Sequence, residues 1–238
     1  VTLGFWLIKI AATTLGETGG DAVSMSMNLG YLVGTAIFAA IFLAAVVAQV
    51  KAKDFHPFLY WTTIIATTTV GTTLADFADR SLGIGYAGGS SLLLALLLGS
   101  LFVWHRTLGS VSVSTVSSPK AEAFYWLTIM FSQTLGTALG DWTADTAGLG
   151  YVGAAIIFSA LLALVAGAYF WTVISRTSLF WTAFILTRPL GAVVGDFLDK
   201  PVAAGGLALS RYSASAVLLL FMVACILVFR QRAAERSH

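Results

Sequence analysis

Four times along this chain a Trp is followed, ten residues on, by a Gly: Trp6 and Gly16, Trp61 and Gly71, Trp126 and Gly136, Trp181 and Gly191. Four residues further stands a second small residue (Gly20, Ala75, Gly140, Gly195), and an Asp follows it each time: Asp21, Asp76, Asp141 and Asp196. Four ungapped matches identify an internal repeat, which constrains the architecture before any single residue does. Three copies continue to a Gly-Tyr pair at one offset, Gly30-Tyr31, Gly85-Tyr86 and Gly150-Tyr151, with Tyr twenty-five residues from its Trp. In the fourth copy Tyr212 is displaced by a six-residue insertion around Ala203-Ala204-Gly205-Gly206. The Trp residues are spaced 55, 65 and 55 apart, so the larger period is two units. The chain accordingly divides into a first half over 1–106, a Ser/Thr-rich polar linker over 107–119 and a second half over 120–238, with two helical-hairpin repeats in each half.

The repeat is embedded in apolar sequence. An apolar fraction of 58%, only 10% charged residues and a mean hydropathy of +0.89 exceed what a water-soluble domain carries on its surface. The excess falls into stretches approaching the ~20 residues that cross a hydrocarbon core as a helix. Eight spans are expected, near 3–21, 29–50, 57–78, 85–105, 122–142, 149–173, 179–197 and 208–230. Runs such as Leu92 to Leu98 do not alternate, so helices are expected rather than a barrel. The expected fold is an all-α integral membrane protein of eight transmembrane helices, built as four parallel two-helix repeats by double duplication. Two spans per unit give every copy one orientation. Lys9, Glu17 and Asp21 interrupt the first segment, so it does not read as a removable signal peptide. The first residue is Val1 rather than Met, and a short N-terminal piece is expected ahead of it.

Lysines and arginines orient the chain. Lys51, Lys53, Arg106, Lys120 and Arg176 lie in loops at the Trp end, and Arg230, Arg232 and Arg236 in the tail; links at the Asp end carry Arg80, Lys200 and Arg211. The positive-inside rule places both termini in the cytoplasm and the Asp ends outside. Topology thus explains the basic residues, and no nucleic-acid partner is implied.

At 1.5 Å rise per residue each motif Asp lies ~22 Å along its helix from the Trp. That is the outer third of a hydrocarbon layer, with Glu17 nearer the midplane and the Trp residues read as an interfacial belt. The paired small residues suit close helix packing, with the odd helices around one axis. A carboxylate at this depth costs on the order of 3 kcal/mol, so four at equivalent positions need partners or an ion. Either each Asp caps a separate helix end, or the four share one polar site. Asp79, Asp145 and Asp199 lie three or four residues beyond, as secondary outer acids or helix caps. With Glu17, eight of the eleven acidic residues belong to this band. Thr residues below it, such as Thr72, Thr73 and Thr137, add hydroxyls.

Two bases interrupt the odd helices. Lys9 and Arg188 read as counter-charges or gates, with snorkelling an alternative that suits Lys9; Arg188 would face a motif carboxylate or move, and Pro189 after it should kink or open the helix. Cys225 reads as a packing residue. The three His residues have no zinc-type spacing, and no nucleophile set or phosphate loop is present in the sequence, so no enzymatic activity is expected.

At the strings GETGGD, TTLADFADRSLGIGY, TLGTALGDWTAD and LTRPLGAVVGDF the chain resembles a bacterial inner-membrane family labelled "uncharacterised membrane-anchored protein", along nearly its whole length. The resemblance implies the bacterial inner membrane and no particular activity. GETGGD is also similar, more weakly, to motifs of manganese and calcium exporters, although the spacing differs and the other copies lack the Glu.

The expected function is transport of a small, divalent cation, as an exporter or proton-coupled carrier, through a site of Asp21, Asp76, Asp141 and Asp196, with Glu17 as relay or gate. Oxygen ligands suit manganese, magnesium or calcium, the one bound group expected. The alternatives are a non-transporting scaffold or sensor with a structural polar band, or a carrier of a cationic organic solute. The expected partners are the bilayer and the cation; an oligomer is not required.

Overall fold

The computed structural model describes residues 2–52, 54–83, 85–113, 116 and 118–229. Lys53, Ile84, Arg230, Arg232, Arg236, His238 and parts of the 107–119 linker, on which some of the topology rests, lie outside the described residues. The described residues form eight long helices: α1 Leu3–Asp21, α2 Gly30–Lys51, α3 Pro57–Asp76, α4 Tyr86–Leu108, α5 Pro119–Asp141, α6 Gly150–Trp171, α7 Arg176–Asp199 and α8 Arg211–Val228.

Local chemistry sets many of the ends. Pro57 and Pro119 occupy first-turn positions, where the missing N–H is not needed. Ser118 and Thr2 accept from Ala121 N and Phe5 N at the starts of α5 and α1. The repeated Gly before Tyr has a backbone reason: Gly30, Gly85 and Gly150 have φ of +76°, +77° and +64°, a region costly for side chains with a Cβ. After Asp21, Asp76 and Asp141 the helix loosens into one π-helical turn (Ala22–Ser26, Phe77–Ser81, Trp142–Thr146). The fourth copy differs. Its insertion folds back, Leu207 N and Leu209 N donating to the carbonyls of Phe197 and Leu198, so α8 starts at Arg211 rather than near 208. α7 stays helical through Pro189, so the helix does not open there.

The odd helices close a ring, α1 against α3, α3 against α5, α5 against α7 and α7 against α1. Each even helix packs outside the odd helix of the next repeat: α2 on α3, α4 on α5, α6 on α7, and α8 back on α1. The two populations differ in exposure. Only Gly34, Phe42 and Ala45 are buried on α2, whereas thirteen of the twenty residues of α3 are buried, six of them Thr. Five helices, α2, α4, α6, α7 and α8, are long and apolar enough to cross a membrane, consistent with a membrane protein. α1, α3 and α5 fall short in hydropathy because their hydroxyls and acids face one another inside the ring, an arrangement composition does not register.

Three of the four repeat tryptophans face into the ring rather than outward, and Trp6 is half-buried. Trp61, Trp126 and Trp181 are buried, and with Tyr60, Tyr125, Trp104 and Phe180 they fill the Trp end of the ring, Trp181 Nε1 donating to Val111 O at 2.9 Å. They share a helical face with the inward residues three, seven and eleven positions later, so they point to the axis.

Candidate functional site

Because the copies are in register, equivalent residues from the four odd helices stack as layers along the axis. Three residues after the tryptophans come Lys9, Ile64, Ile129 and Phe184, all fully buried. One turn further come Thr13, Thr68, Gln133 and Arg188, then Glu17, Thr72, Thr137 and Ala192, then the four motif Asp residues.

The first small residue of the motif makes this stacking possible. Each packs under a neighbour's side chain: Gly191 under Thr13, Gly16 under Thr68, Gly71 under Gln133 and Gly136 under Arg188. A Cβ at these glycines would sit 2.1, 2.1, 2.9 and 2.2 Å from the nearest atom, a side-chain atom at Gly191, Gly16 and Gly136 and the Gln133 backbone at Gly71, so each ring contact closes where the motif has no Cβ.

Arg188 breaks the fourfold pattern. Its Nη2 rises from its own layer to the next, lying 2.9 Å from Glu17 Oε2 and 2.6 Å from Thr72 Oγ1, and it also donates to Thr137 Oγ1. Ala192 is the small residue in that layer. The guanidinium therefore joins three repeats, and its acid partner is Glu17 rather than a motif Asp. Lys9 does not snorkel: it is fully buried, with Nζ 4.1 Å from the centroid of the Phe184 ring.

The four motif Asp residues share two basic partners. They fall into two pairs, each straddled by one base from the Asp end. Arg80 Nε lies 2.8 Å from Asp76 Oδ1, and its Nη2 lies 3.8 Å from Asp141 Oδ2. Lys200 donates to Asp21 and lies 3.0 Å from Asp196 Oδ1. Arg80 and Lys200 are equivalent positions in the second and fourth copies; the first and third carry Met25 and Asp145 there. Fourfold packing thus carries twofold charge, matching the two-unit period of the sequence. Arg211 extends the second group, 2.8 Å from Asp199 Oδ2 and 3.7 Å from Asp21 Oδ2.

Burial works against the charge on Lys200, but Asp196 and Asp21 outweigh it, so its pKa is raised and the ammonium persists at neutral pH. At Arg80 burial is likewise overcome by Asp76 and Asp141. Of the secondary acids, Asp199 is buried in the network, Asp79 is half-buried beside Gly89, and Asp145 is exposed.

One group of carboxylates does come together. Glu17, Asp21 and Asp196 each offer an oxygen, and these oxygens lie within 4.8 Å of one another. The group lies at the α1–α7 seam, with Arg188 on the Glu17 side and Lys200 on the Asp side. Oxygen donors alone suit a hard cation. Asp76 and Asp141, expected in the same site, lie outside this group of oxygens and share Arg80.

The basic partners Arg80, Lys200 and Arg211 were read from the sequence only as markers of topology. The readable signal was spacing: Asp76 with Arg80 and Asp196 with Lys200 stand four residues apart, facing each other along one helical path.

No curated protein and no solved structure matches the chain. A family model described as "Repeat of Unknown Function (DUF347)" matches residues 4–55, 59–110, 124–175 and 179–234, one match per structural repeat. With four such matches over most of its length, the chain belongs to the DUF347 repeat family.

Proposed function

We propose that all eight helices span the bacterial inner membrane, with both termini cytoplasmic and the Asp end outside, and that the protein carries a small divalent cation through the Glu17–Asp21–Asp196 group. The observation that carries this reading is the convergence of three buried carboxylates at one helix seam. Intramembrane acids at such a point are a functional feature by default, because hydrocarbon makes them costly to keep. Lys200 holds the position a cation would take between Asp21 and Asp196, and its side chain is 12% exposed, next to the external face of the proposed topology. Release of that ammonium toward water would open the group to an ion. Three carboxylates less the Arg188 guanidinium then leave two negative charges, which one divalent ion balances. Manganese, magnesium and calcium fit the all-oxygen donor set. Return of Lys200, or protonation of the acids, would expel the ion, which makes exchange against protons the natural coupling. The weak motif similarity to manganese and calcium exporters points the same way.

One observation favours a second reading, a non-transporting scaffold or sensor: each motif Asp already has a basic partner within the chain. Flux decides between them. In proteoliposomes the parent should take up manganese, magnesium or calcium, Asp196→Asn should abolish uptake, and Lys200→Met should lower the half-saturating concentration. Absence of uptake of all three ions in the parent, with the protein folded and inserted, overturns transport in favour of the scaffold.

A further inference from the structure

Below the carboxylates, the axis carries buried donors that the proposed cation site does not use. Lys9 Nζ is fully buried without a hydrogen-bond partner. Arg188 spends Nη2 on Glu17, Thr72 and Thr137, while its Nε and Nη1 have none. The carboxamide of Gln133, in the Arg188 layer, is unpartnered at both atoms, and so is the Thr68 hydroxyl beside it in the ring. All four side chains are wholly enclosed.

Charge sharpens the point. Lys9 and Arg188 are two basic groups in these layers, and the acid paired there, Glu17, belongs to Arg188. A protonated Lys9 would have no acid of its own there, and an uncompensated ion is among the costliest things a protein can bury, so its ammonium form calls for a counter-ion. The Phe184 ring face at 4.1 Å from Lys9 Nζ offers partial relief but accepts no conventional hydrogen bond. The unpartnered groups are an ammonium, a guanidinium edge, an amide and a hydroxyl, all able to donate. Together they describe the complement of a small acceptor bearing one negative charge.

We propose that this part of the axis binds a monovalent anion of halide size, chloride being the form tested, held between Lys9, Arg188 and Gln133. A phosphate or sulfate would bring more negative charge than one Lys9 ammonium balances. The site is separate from the Glu17–Asp21–Asp196 group, and the inference does not rest on cation transport. It gives Arg188 two roles at once, facing Glu17 with Nη2 and the anion with Nε and Nη1.

The test is thermal unfolding of the detergent-solubilised full chain, titrated with sodium chloride or bromide against sodium gluconate at constant ionic strength. Binding to the folded state should give a saturable rise in Tm with either halide. Lys9→Met should raise the half-saturating halide concentration about tenfold or more, the loss of one charge-assisted contact, while exposed Lys120→Met leaves it unchanged. If Lys9→Met is not recovered folded, Gln133→Leu supplies the same comparison with a smaller shift. A parent indifferent to halide overturns the proposal and leaves a neutral Lys9 amine or internal water in its place. So does a response that survives both Lys9→Met and Gln133→Leu, which would locate the halide on the surface.

Discussion

Arg188 stands where the other repeats carry Thr13, Thr68 and Gln133, and this one departure puts an ionic side chain in an otherwise neutral layer. Its reach is permitted by an absence, because Gly136 lets the Arg188 side chain lie against its backbone and aim across the ring. The same logic yields a prediction at Gly71. A Cβ there would meet Gln133 C at 2.9 Å and Thr134 N at 3.0 Å, backbone atoms that cannot swing aside. Gly71→Ala should therefore destabilise the folded protein by about 1–3 kcal/mol, the usual cost of overpacking. Gly99→Ala, on the outer helix α4 with nothing within 4 Å, should be neutral or slightly stabilising, since Ala is the better helix former. Thermal unfolding in detergent measures both, and equal behaviour of the two variants would remove close backbone contact as the purpose of the motif glycine. Which glycines matter was legible from the period of the repeat. Which side chain lodges over each was not, because that depends on the stagger between neighbouring helices.

At the scale of elements, the feature least visible in the sequence is the offset between chain neighbours and spatial neighbours. A two-helix repeat invites the picture of four hairpins, each packed on itself, yet α2 lies on α3, and α8 lies on α1. The period locates α1 to α8, because Trp, Gly, Asp and Gly-Tyr mark the same points in each copy. It cannot say which odd helix an even helix covers, since even helices such as α2 and α6 are apolar on every side and carry no stripe that selects a partner. The charges had the same problem. Asp21 and Lys200 are 179 residues apart, and no local pattern connects them. One contact tests the offset: Thr18 Oγ1 lies 2.8 Å from Ser215 Oγ across α1 and α8. With Cys225 replaced by Ser, the pair Thr18→Cys and Ser215→Cys should form a disulfide within one chain on mild oxidation. Gel mobility under reducing and non-reducing conditions reads it, and failure of the pair to close in folded protein would contradict the α8–α1 seam.

The whole molecule has two unlike ends. The Trp end is closed by aromatic rings, including the hydrogen-bonded Tyr60 and Tyr125 hydroxyls at 2.7 Å, and the Asp end is covered by Arg80, Lys200 and Arg211. The proposed orientation turns the second end outward. Single cysteines introduced at Ser81 and Ala147, in a background lacking Cys225, should react with an impermeant reagent from outside intact cells, while one at Ser112 should react only after the membrane is opened. Labelling of Ser112→Cys from outside would invert the topology and put the carboxylates at the cytoplasmic face. Ring closure also has a consequence in time. Glu17 meets Arg188 across 171 residues of chain, and Asp21 meets Lys200 across 179, so the first helix leaves the ribosome long before its counter-charges are made. At ~5–20 residues per second the wait is roughly ten to thirty-five seconds. If α1 spans the membrane as proposed, it must through that interval linger at the bilayer surface, carry its acids protonated, or be sheltered by the insertion machinery, settling only when α7 arrives to neutralise it.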